Sequence, residues 1–298
     1  MASNQSNFRY VFFGTPEFAE IILRKLIDAG LPPTALVCNP DRPVGRKKVI
    51  TPPATKQCVT SQVSSVKEKI EILQPENLGE IRGSLHAFQP DFAVVAAYAK
   101  IIPKEVIGIF PRGMMGVHPS LLPKYRGSSP IQTAILNGEG ETGVTLYLLD
   151  EKMDHGPIVS SIKYQASSND TYETLLKKLA GLGGNLLLET IPKFMAGEIK
   201  PQPQNEAEAT YTKKFAADNA FVAESDLDEA ITGVSSEKAA AIERKIRALN
   251  PEPGVWTTRN GRRVKLLEAE IQTGKLMLKK IQEEGKKPRV IANNANQI

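Results

Sequence analysis

Apolar residues at the start of the chain first form a continuous run and then recur at helical spacing. Residues 8–13 are nearly all apolar, as expected of a strand that is covered on both faces. Residues 17–29 carry apolar side chains three and four positions apart and stop at Gly30, which indicates a helix. Thr15 and Pro16 before it are typical of an N-cap and a first helical residue. The chain is therefore predicted to begin with a strand and a helix.

Further short apolar runs predict strands, and helical repeats lie between some of them. The predicted helices and strands cover residues 127–136 and 172–194, and 35–37, 70–73, 92–97, 114–117, 144–148 and 158–164. Strands that alternate with helices pair in parallel through right-handed crossovers, so this order predicts an α/β fold with a parallel sheet. Because no strand directly precedes the glycines at 181–184, we interpret them as a site of close helix packing.

The last third of the chain has a different pattern. Residues 195–211 are rich in Pro, Gln and Asn, which is typical of a linker. A helix is predicted at 237–249, and alternating apolar and polar positions predict strands at 264–271 and 275–281. Asn260-Gly261 is the strongest hairpin signal in the chain. The predicted organisation is an α/β domain, a linker and a small antiparallel barrel, at residues 1–194, 195–211 and 212–298.

The composition excludes several classes of protein. The chain has 298 residues, of which 41% are hydrophobic, but it has no apolar run long enough to span a membrane. Its first residues lack the layout of a secretory signal, which predicts a cytoplasmic protein. Cys38 and Cys58 lie in separate predicted elements and form no CxxC motif, so neither a metal site nor a disulfide framework is expected.

The net charge of +5 is unevenly distributed along the chain. Residues 244–298 contain 13 Lys/Arg and 5 Asp/Glu, so the preceding part is mildly acidic. A basic terminal domain on an acidic body suggests a polyanionic partner. A solvated charged surface that keeps the protein soluble is the alternative interpretation.

His118 and Asp154 are the candidate catalytic residues. Each lies just beyond an apolar run that predicts a strand, and open α/β folds bind their ligands at the ends of such strands. An imidazole can donate a proton near neutral pH, and a carboxylate beside it orients the ring. The alternative is a histidine that caps a strand end and an aspartate in a turn.

Six segments together resemble one family over nearly the whole chain. They read FGTPEFA, NPDRPVGR, AAY, HPSLLPKYRGSSPI, MDHG and RKIRALNP, at residues 13–19, 39–46, 96–98, 118–131, 153–156 and 244–251. They resemble the 10-formyltetrahydrofolate-dependent formyltransferases, and the loop at 39–46 narrows the match to the tRNA branch. The resemblance implies an α/β, Rossmann-like formyltransferase domain with a parallel sheet, followed by a small OB-like β-barrel domain that binds tRNA.

The resemblance also implies a reaction. The α-amino group of methionine, charged on initiator tRNA, would attack the formyl carbon of 10-formyltetrahydrofolate without a covalent enzyme intermediate. His118 would donate to the developing oxyanion, and Asp154 would keep His118 charged and relay the proton of the amine. The implied substrates are the folate and the charged tRNA, with no metal and no membrane, and the protein is expected to be a monomer.

Residue roles follow from the same resemblance. Ser120 and Arg126 would brace the loop after His118, although a purely structural role is equally open, and His155 is expected to be a surface neighbour. The Arg42 loop would contact phosphates at the acceptor stem, with a solvated charged loop as the alternative. The tRNA-binding set is Arg42, Arg46, Lys47 and Lys48, and the folate-binding set is Ala96, Ala97, Tyr98, Ser120, Leu121, Leu122, Pro123, Asp150 and Met153.

Gly116 departs from the family, which has asparagine two residues before the histidine. Loss of one oxyanion donor typically lowers a rate by about 10²–10³-fold. Gly116→Asn is therefore predicted to raise the rate about 10²-fold, provided that the space beside Gly116 is open. Three functions stay open: a tRNA formyltransferase, a formyltransferase for an amino sugar nucleotide or other small amine, and a catalytically impaired tRNA-binding homologue.

Overall fold

The computed structural model describes residues 8–45, 47–62 and 69–291. In chain order its helices and strands are β1 (Tyr10–Gly14), α1 (Glu17–Asp28), β2 (Ala35–Val37), β3 (Arg42–Val44), β4 (Val49–Thr51), α2 (Ala54–Thr60), β5 (Glu71–Leu73), α3 (Arg82–Ala87), β6 (Phe92–Ala96), α4 (Lys104–Ile107), β7 (Met114–His118), β8 (Arg126–Gly127), α5 (Pro130–Asn137), β9 (Glu141–Leu148), β10 (Ile158–Gln165), α6 (Tyr172–Met195), β11 (Tyr211–Thr212), α7 (Glu224–Thr232), α8 (Ser236–Leu249), β12 (Trp256–Arg259), β13 (Arg262–Gln272), β14 (Lys275–Glu283) and β15 (Arg289–Val290). None of the helices in these ranges is long and apolar enough to cross a membrane.

The chain divides into two compact units. Unit 1 contains the described residues of 1–126, 143–164 and 176–211. Unit 2 contains those of 127–142, 165–175 and 212–298. The segment predicted as a linker is thus part of unit 1, whereas two internal segments belong to the same unit as the C-terminal region. The functional domain boundaries stay a prediction.

Unit 1 is built on a seven-stranded sheet in the order β10-β9-β7-β6-β1-β2-β5. The run β7-β6-β1-β2-β5 is parallel throughout. β9 pairs antiparallel with β7, so the sheet is mixed and not purely parallel as the alternation of strands and helices predicted. Phe12 and Phe13 are neighbours on β1 and therefore face opposite sides of the sheet, and both are fully buried, as is Leu36 on β2. This confirms β1 as a strand covered on both faces.

The first helix starts one residue later than predicted. Pro16 is the N-cap residue, no side chain caps the helix, and α1 begins at Glu17. Thr15 is not the N-cap because its hydroxyl accepts a hydrogen bond from the backbone N–H of Asn39 at 3.2 Å. The hydroxyl therefore joins the ends of β1 and β2.

The glycines inside α6 allow close packing, as predicted. A Cβ atom built on Gly183 would lie 3.0 Å from Val117 Cγ1 and 3.4 Å from Val144 Cγ1. The helix thus approaches β7 and β9 closely on one face of the sheet. This contact supports the two strands that carry the candidate active site.

Unit 2 contains a four-stranded antiparallel sheet in the order β12-β13-β14-β15. Asn260 and Gly261 connect the first two strands with φ values of 49° and 72°, as the hairpin signal predicted. The predicted fold class is confirmed: a Rossmann-like sheet with helices, and an antiparallel sheet domain at the C-terminus.

The charge asymmetry along the sequence does not extend to the compact units, because unit 2 contains more of the chain than the basic C-terminal stretch. Unit 2 contains 16 Lys/Arg and 16 Asp/Glu, because α7 and the two internal segments add acidic residues to the basic C-terminal stretch. Any attraction of unit 2 for a polyanion therefore depends on where its basic side chains lie, and not on its net charge.

Candidate active site

The register between β7 and β9 determines which side chains share the candidate site. His118 lies opposite Thr145, and Gly116 lies opposite Tyr147. Because side chains alternate along a strand, positions 116 and 118 face the same side of the sheet as their partners on β9. The carboxyl end of β7 thus presents His118 on a face that it shares with Tyr147.

His118 and Asp154 lie together at this strand end, as the sequence predicted. Their side chains are 7% and 16% exposed, and His118 Nδ1 lies 3.6 Å from Asp154 Oδ2. The other ring nitrogen, Nε2, lies 2.8 Å from the backbone carbonyl of Tyr125. Since a carbonyl only accepts, Nε2 carries a proton and donates it. The imidazole is therefore oriented with Nδ1 toward the carboxylate.

The loop that carries Asp154 is fixed by contacts that the sequence analysis missed. Asp154 has a left-handed backbone with a φ of 50°. The amide nitrogen of Gln204 donates to the backbone carbonyls of Asp154 and Gly156 at 2.9 and 2.8 Å. Tyr147 donates its hydroxyl hydrogen to Asp154 Oδ1 at 2.6 Å. Gln204 gave no signal in the sequence because it lies in a segment whose composition predicts a linker.

Arg126 attaches that segment to the loop after His118. Its side chain is fully buried, and the guanidinium donates to Gln204 Oε1, to the carboxylate of Glu206 and to the hydroxyl of Tyr211. The hydrogen bond from Arg126 lowers the pKa of Glu206, and the bond to Glu206 raises the pKa of Arg126. The contacts fit the predicted bracing role of Arg126, which acts through Gln204 on the Asp154 loop.

The space beside Gly116 is closed, which removes the condition for the predicted gain from Gly116→Asn. A Cβ atom at position 116 would lie 2.6 Å from Tyr147 Cζ and 2.9 Å from Leu149 Cδ1. Real Cβ atoms essentially never approach heavy atoms so closely. The ring of Tyr147 thus fills the volume into which an asparagine would project, and the predicted gain is corrected to a steric conflict.

The predicted folate segment leaves the sheet at the end of β6. Ala96 is fully buried, and Ala97 is exposed with a left-handed φ of 46°. Tyr98 packs edge-on against Phe13, with ring centroids 5.6 Å apart. Burial raises the pKa of Tyr98 to about 12. Its buried hydroxyl has no hydrogen-bond partner among the residues that the structure describes, so a polar group of a ligand could satisfy it.

The predicted folate residues after His118 form a tight loop. Ser120 is fully buried and donates its hydroxyl hydrogen to the carbonyl of Lys124 at 2.6 Å. The backbone N–H of Leu122 donates to the hydroxyl of Thr145 at 3.0 Å. Leu121 and Pro123 are partly exposed on the same loop. Ser120 therefore braces the loop from inside rather than facing a ligand.

The remaining predicted folate residues lie on the Asp154 loop. Asp150 accepts from the backbone N–H of Lys152 at 2.9 Å, and its other oxygen lies 2.5 Å from His155 Nδ1. Met153 is 65% exposed. Asp150 therefore holds His155, which also lies 3.4 Å from the carboxylate of Glu206. These contacts agree with His155 as a neighbour of the site.

The predicted tRNA loop is a two-stranded hairpin, β3 and β4, which the sequence analysis did not predict as strands. Arg42 contacts the carboxylate of Glu76 with one nitrogen, at 2.8 and 2.7 Å to its two oxygens. Lys47 and Lys48 are exposed at the hairpin tip, and Arg46 lies outside the described residues. Arg42 would have to exchange Glu76 for a phosphate in order to contact a nucleic acid.

No metal site accompanies these residues. Within residues 8–45, 47–62 and 69–291, no group of three His, Cys, Asp or Glu side chains is arranged to hold a metal ion.

Comparisons with known proteins show which family the chain resembles. A family model described as formyl transferase matches residues 8–191, and one described as formyl transferase, C-terminal domain, matches residues 235–275. A protein of Kosmotoga olearia named methionyl-tRNA formyltransferase is 40% identical over 265 residues, which cover 88% of this chain and 80% of that relative.

Two solved structures share the fold at low sequence identity. Methionyl-tRNA formyltransferase from Clostridium thermocellum has a TM-score of 0.59 at 17% identity, over 93% of this chain and 98% of its own. An N-formyltransferase from Helicobacter canadensis, solved with folinic acid and dTDP-3-aminofucose, has a TM-score of 0.62 at 19% identity, over 89% and 88%. With the family-model match and the 40% identity to the Kosmotoga relative, this chain belongs to the formyl transferase family and, within it, to the methionyl-tRNA formyltransferases.

Proposed function

We propose that this chain transfers the formyl group of 10-formyltetrahydrofolate to the α-amino group of methionine on charged initiator tRNA. The observation that carries the proposal is the His118–Asp154 pair, 3.6 Å apart at the end of β7, in a chain whose relative is a methionyl-tRNA formyltransferase at 40% identity. A neutral amine is already nucleophilic, so the protein needs a donor for the formyl oxygen and an acceptor for a proton.

His118 and Asp154 divide these two tasks. The ring of His118 is held from one side by the Tyr125 carbonyl and faces the carboxylate of Asp154 from the other. Because Nε2 donates to that carbonyl and Nδ1 lies 3.6 Å from Asp154, beyond hydrogen-bond distance, the Nδ1–H of the charged ring is the group that donates to the oxygen on which negative charge develops. Asp154 is the more exposed of the two side chains and accepts the proton that the amine loses, directly or through water. As the bond between the formyl carbon and N10 of the folate breaks, that proton passes to N10, and tetrahydrofolate leaves.

The backbone from Ala96 to Tyr98 is the proposed folate contact. Ala97 is exposed and left-handed just after the end of β6, and the hydroxyl of Tyr98 lacks a partner in the described part of the chain. Peptide groups suit the edge of a pterin, which alternates hydrogen-bond donors and acceptors. When bound, the folate supplies the formyl group.

Basic side chains on each unit are the proposed tRNA contacts. On unit 1 they lie at the tip of the β3–β4 hairpin, which also exposes Val44, Val49 and Ile50 at 57%, 59% and 62%. On unit 2, Arg262, Arg263 and Lys265 are exposed near the start of β13. Contacts of this kind make tRNA affinity fall steeply as the salt concentration rises.

A small-amine acceptor is the second candidate function. It is favoured by the shared fold of the Helicobacter canadensis enzyme, whose structure contains dTDP-3-aminofucose. Initial rates of formyl transfer should be compared for charged initiator tRNA, uncharged tRNA and dTDP-3-aminofucose. The proposal expects formylation of the charged tRNA alone. Formylation of the sugar in preference to the tRNA would contradict it.

Arg42→Ala is expected to lower the formylation rate more than the tRNA affinity. Arg42 lies at the base of the hairpin, so it would orient the acceptor end at the site while the other basic residues supply most of the electrostatic attraction. We expect kcat/KM to fall about 10-fold or more and the Kd for tRNA to rise by no more than about 3-fold. Initial rates and a filter-binding titration measure the two effects.

Glu76→Gln provides the matched control for this experiment. It breaks the same surface ion pair, in which the two side chains are 61% and 63% exposed, but leaves Arg42 in place. Exposed pairs of this kind contribute little to stability. Glu76→Gln is therefore expected to leave kcat/KM unchanged or to raise it. Equal losses in the two variants would show that Arg42 serves only to hold the hairpin.

A further inference from the structure

The ring of Tyr147 occupies the space beside Gly116. The two residues face each other across the β7–β9 pair, and a Cβ atom at 116 would lie 2.6 Å from Tyr147 Cζ. Glycine at 116 is therefore a packing requirement of the tyrosine ring. Positions 116 and 147 are therefore packed against each other, so a larger residue at 116 requires a smaller one at 147.

The hydroxyl of Tyr147 reaches the catalytic pair. It lies 2.6 Å from Asp154 Oδ1, while the second carboxylate oxygen, Oδ2, faces His118 Nδ1 at 3.6 Å. Tyr147 is 7% exposed. Burial, followed by the negative charge of Asp154, raises the pKa of Tyr147 well above its ordinary value, so the hydroxyl keeps its proton and acts as a donor.

We propose that Tyr147 is a positioning residue for formyl transfer, which holds Asp154 Oδ1 so that Oδ2 faces His118, in a site where Gly116 supplies no side chain. The inference rests on the proposed function. It assigns a role to a side chain outside the set predicted from the sequence. It also explains how a strand with Gly116 retains a fixed geometry around the His118–Asp154 pair.

Removal of the hydroxyl alone separates positioning from packing. Tyr147→Phe keeps the ring that fills the space beside Gly116 and loses only the bond to Asp154. We expect kcat to fall about 10-fold or more, the range for loss of a hydrogen bond to a charged group, with KM for folate and tRNA unchanged. Tyr164→Phe, on the neighbouring strand β10, removes a tyrosine hydroxyl outside the site and is expected to leave kcat unchanged.

A double-mutant cycle with Asp154→Ala tests whether Tyr147 acts through the carboxylate. In the Asp154→Ala background, Tyr147→Phe is expected to change kcat by less than about 2-fold, because the group that it positions is gone. The strain of alanine at the left-handed position 154 is common to both variants and cancels. An equal loss from Tyr147→Phe in both backgrounds, or no loss in the wild-type background, would overturn the proposal.

Gly116→Asn tests whether the Tyr147 ring requires glycine at position 116. Alone it is expected to lower kcat, because asparagine and the Tyr147 ring compete for one volume. Gly116→Asn combined with Tyr147→Val vacates that volume but also removes the hydroxyl that holds Asp154. Its kcat is expected to exceed that of Gly116→Asn alone by about 10-fold, the balance of a restored donor worth about 10²-fold and a lost hydrogen bond worth about 10-fold. A gain in kcat from Gly116→Asn alone, with a normal thermal transition, would contradict the shared volume.

The cycle is measured in parallel by chemical unfolding, which does not depend on activity. The Tyr147–Asp154 bond is expected to appear there as a coupling of about 10-fold in the unfolding equilibrium constant. If the wild-type protein formylates no tRNA, the proposed function fails and the unfolding cycle alone decides the contact. If the wild-type protein is active and the unfolding cycle shows no coupling, the assignment of Tyr147 fails while the proposed function stands.

Discussion

His118→Ala is expected to lower kcat for formyl transfer by about 10²–10⁴-fold, the contribution of a positioned general acid or base. The ring is nearly buried, its Nε2 is held by the Tyr125 carbonyl and its Nδ1 faces Asp154, so its loss removes a donor that water cannot replace with the same orientation. Asp154→Asn is expected to have an effect of similar size. Asparagine tolerates the left-handed backbone at 154 but carries no charge to accept the proton. Single-turnover rates at saturating folate measure both effects.

His86→Ala is the control for the histidine variant. His86 is exposed on α3 and lies outside the candidate site, so its removal is expected to leave the rate unchanged. A His118→Ala variant that folds normally and retains more than about a tenth of the wild-type kcat would assign the chemistry to other residues.

Arg126→Met is expected to lower both stability and turnover. The guanidinium is fully buried and serves three acceptors, Gln204, Glu206 and Tyr211. Its loss is expected to reduce the free energy of unfolding by about 1–3 kcal/mol, the cost of leaving buried acceptors without a donor, because Glu206 itself is 56% exposed and retains access to water. Gln204 then holds the Asp154 loop less firmly, so kcat is expected to fall about 10-fold or more.

Arg24→Met is the matched control for the buried arginine. Arg24 pairs with Glu20 on the surface of α1, where its side chain is 50% exposed. Exposed pairs contribute between 0 and about 1 kcal/mol, so unfolding by denaturant is expected to show little change. If Arg126→Met were as mild as Arg24→Met, the docking of residues 195–211 on the loop after His118 would not depend on the guanidinium.

Patterns of neighbouring residues in the sequence predicted those helices, strands and turns that depend on neighbouring residues alone. The apolar run of β1, the helical repeat of α1 and the Asn260-Gly261 turn lie where the sequence placed them, to within a residue or two. The glycine packing in α6 was also predictable, because glycines inside an amphipathic helix remove side-chain bulk and let the helix approach its neighbours closely. These features depend on neighbours in the sequence.

Features that depend on distant residues were not predictable in the same way. That Tyr147 fills the space beside Gly116 follows from the register of β7 and β9, which no single strand specifies. Gln204 lies 50 residues from Asp154 in a segment whose composition resembles a linker. The composition of a segment does not reveal whether that segment will bind to a buried arginine elsewhere in the chain.

The division of the chain into units also depends on contacts between residues that are distant in the sequence. The helix α5, from an internal segment, belongs to the same unit as α8, and the guanidinium of Arg244 donates to the carbonyl of Leu136 at 3.0 Å. A chain cut at the predicted boundary of residue 212 would remove the partner of α5. Substitution of single exposed basic residues therefore tests tRNA binding without removing part of unit 2, as truncation would.

Catalysis by the His118–Asp154 pair is tested by a single-turnover reaction with the wild-type enzyme in excess over charged initiator tRNA. The reaction contains 10-formyltetrahydrofolate, and the methionine released from the tRNA is analysed by mass spectrometry. If this pair carries out the transfer, the wild-type protein yields N-formylmethionine, and the rate with His118→Ala is about 10²-fold or more lower. Folded wild-type protein that binds the charged tRNA and the folate but leaves the methionine unformylated would contradict it, and would identify a tRNA-binding homologue without formyl transfer.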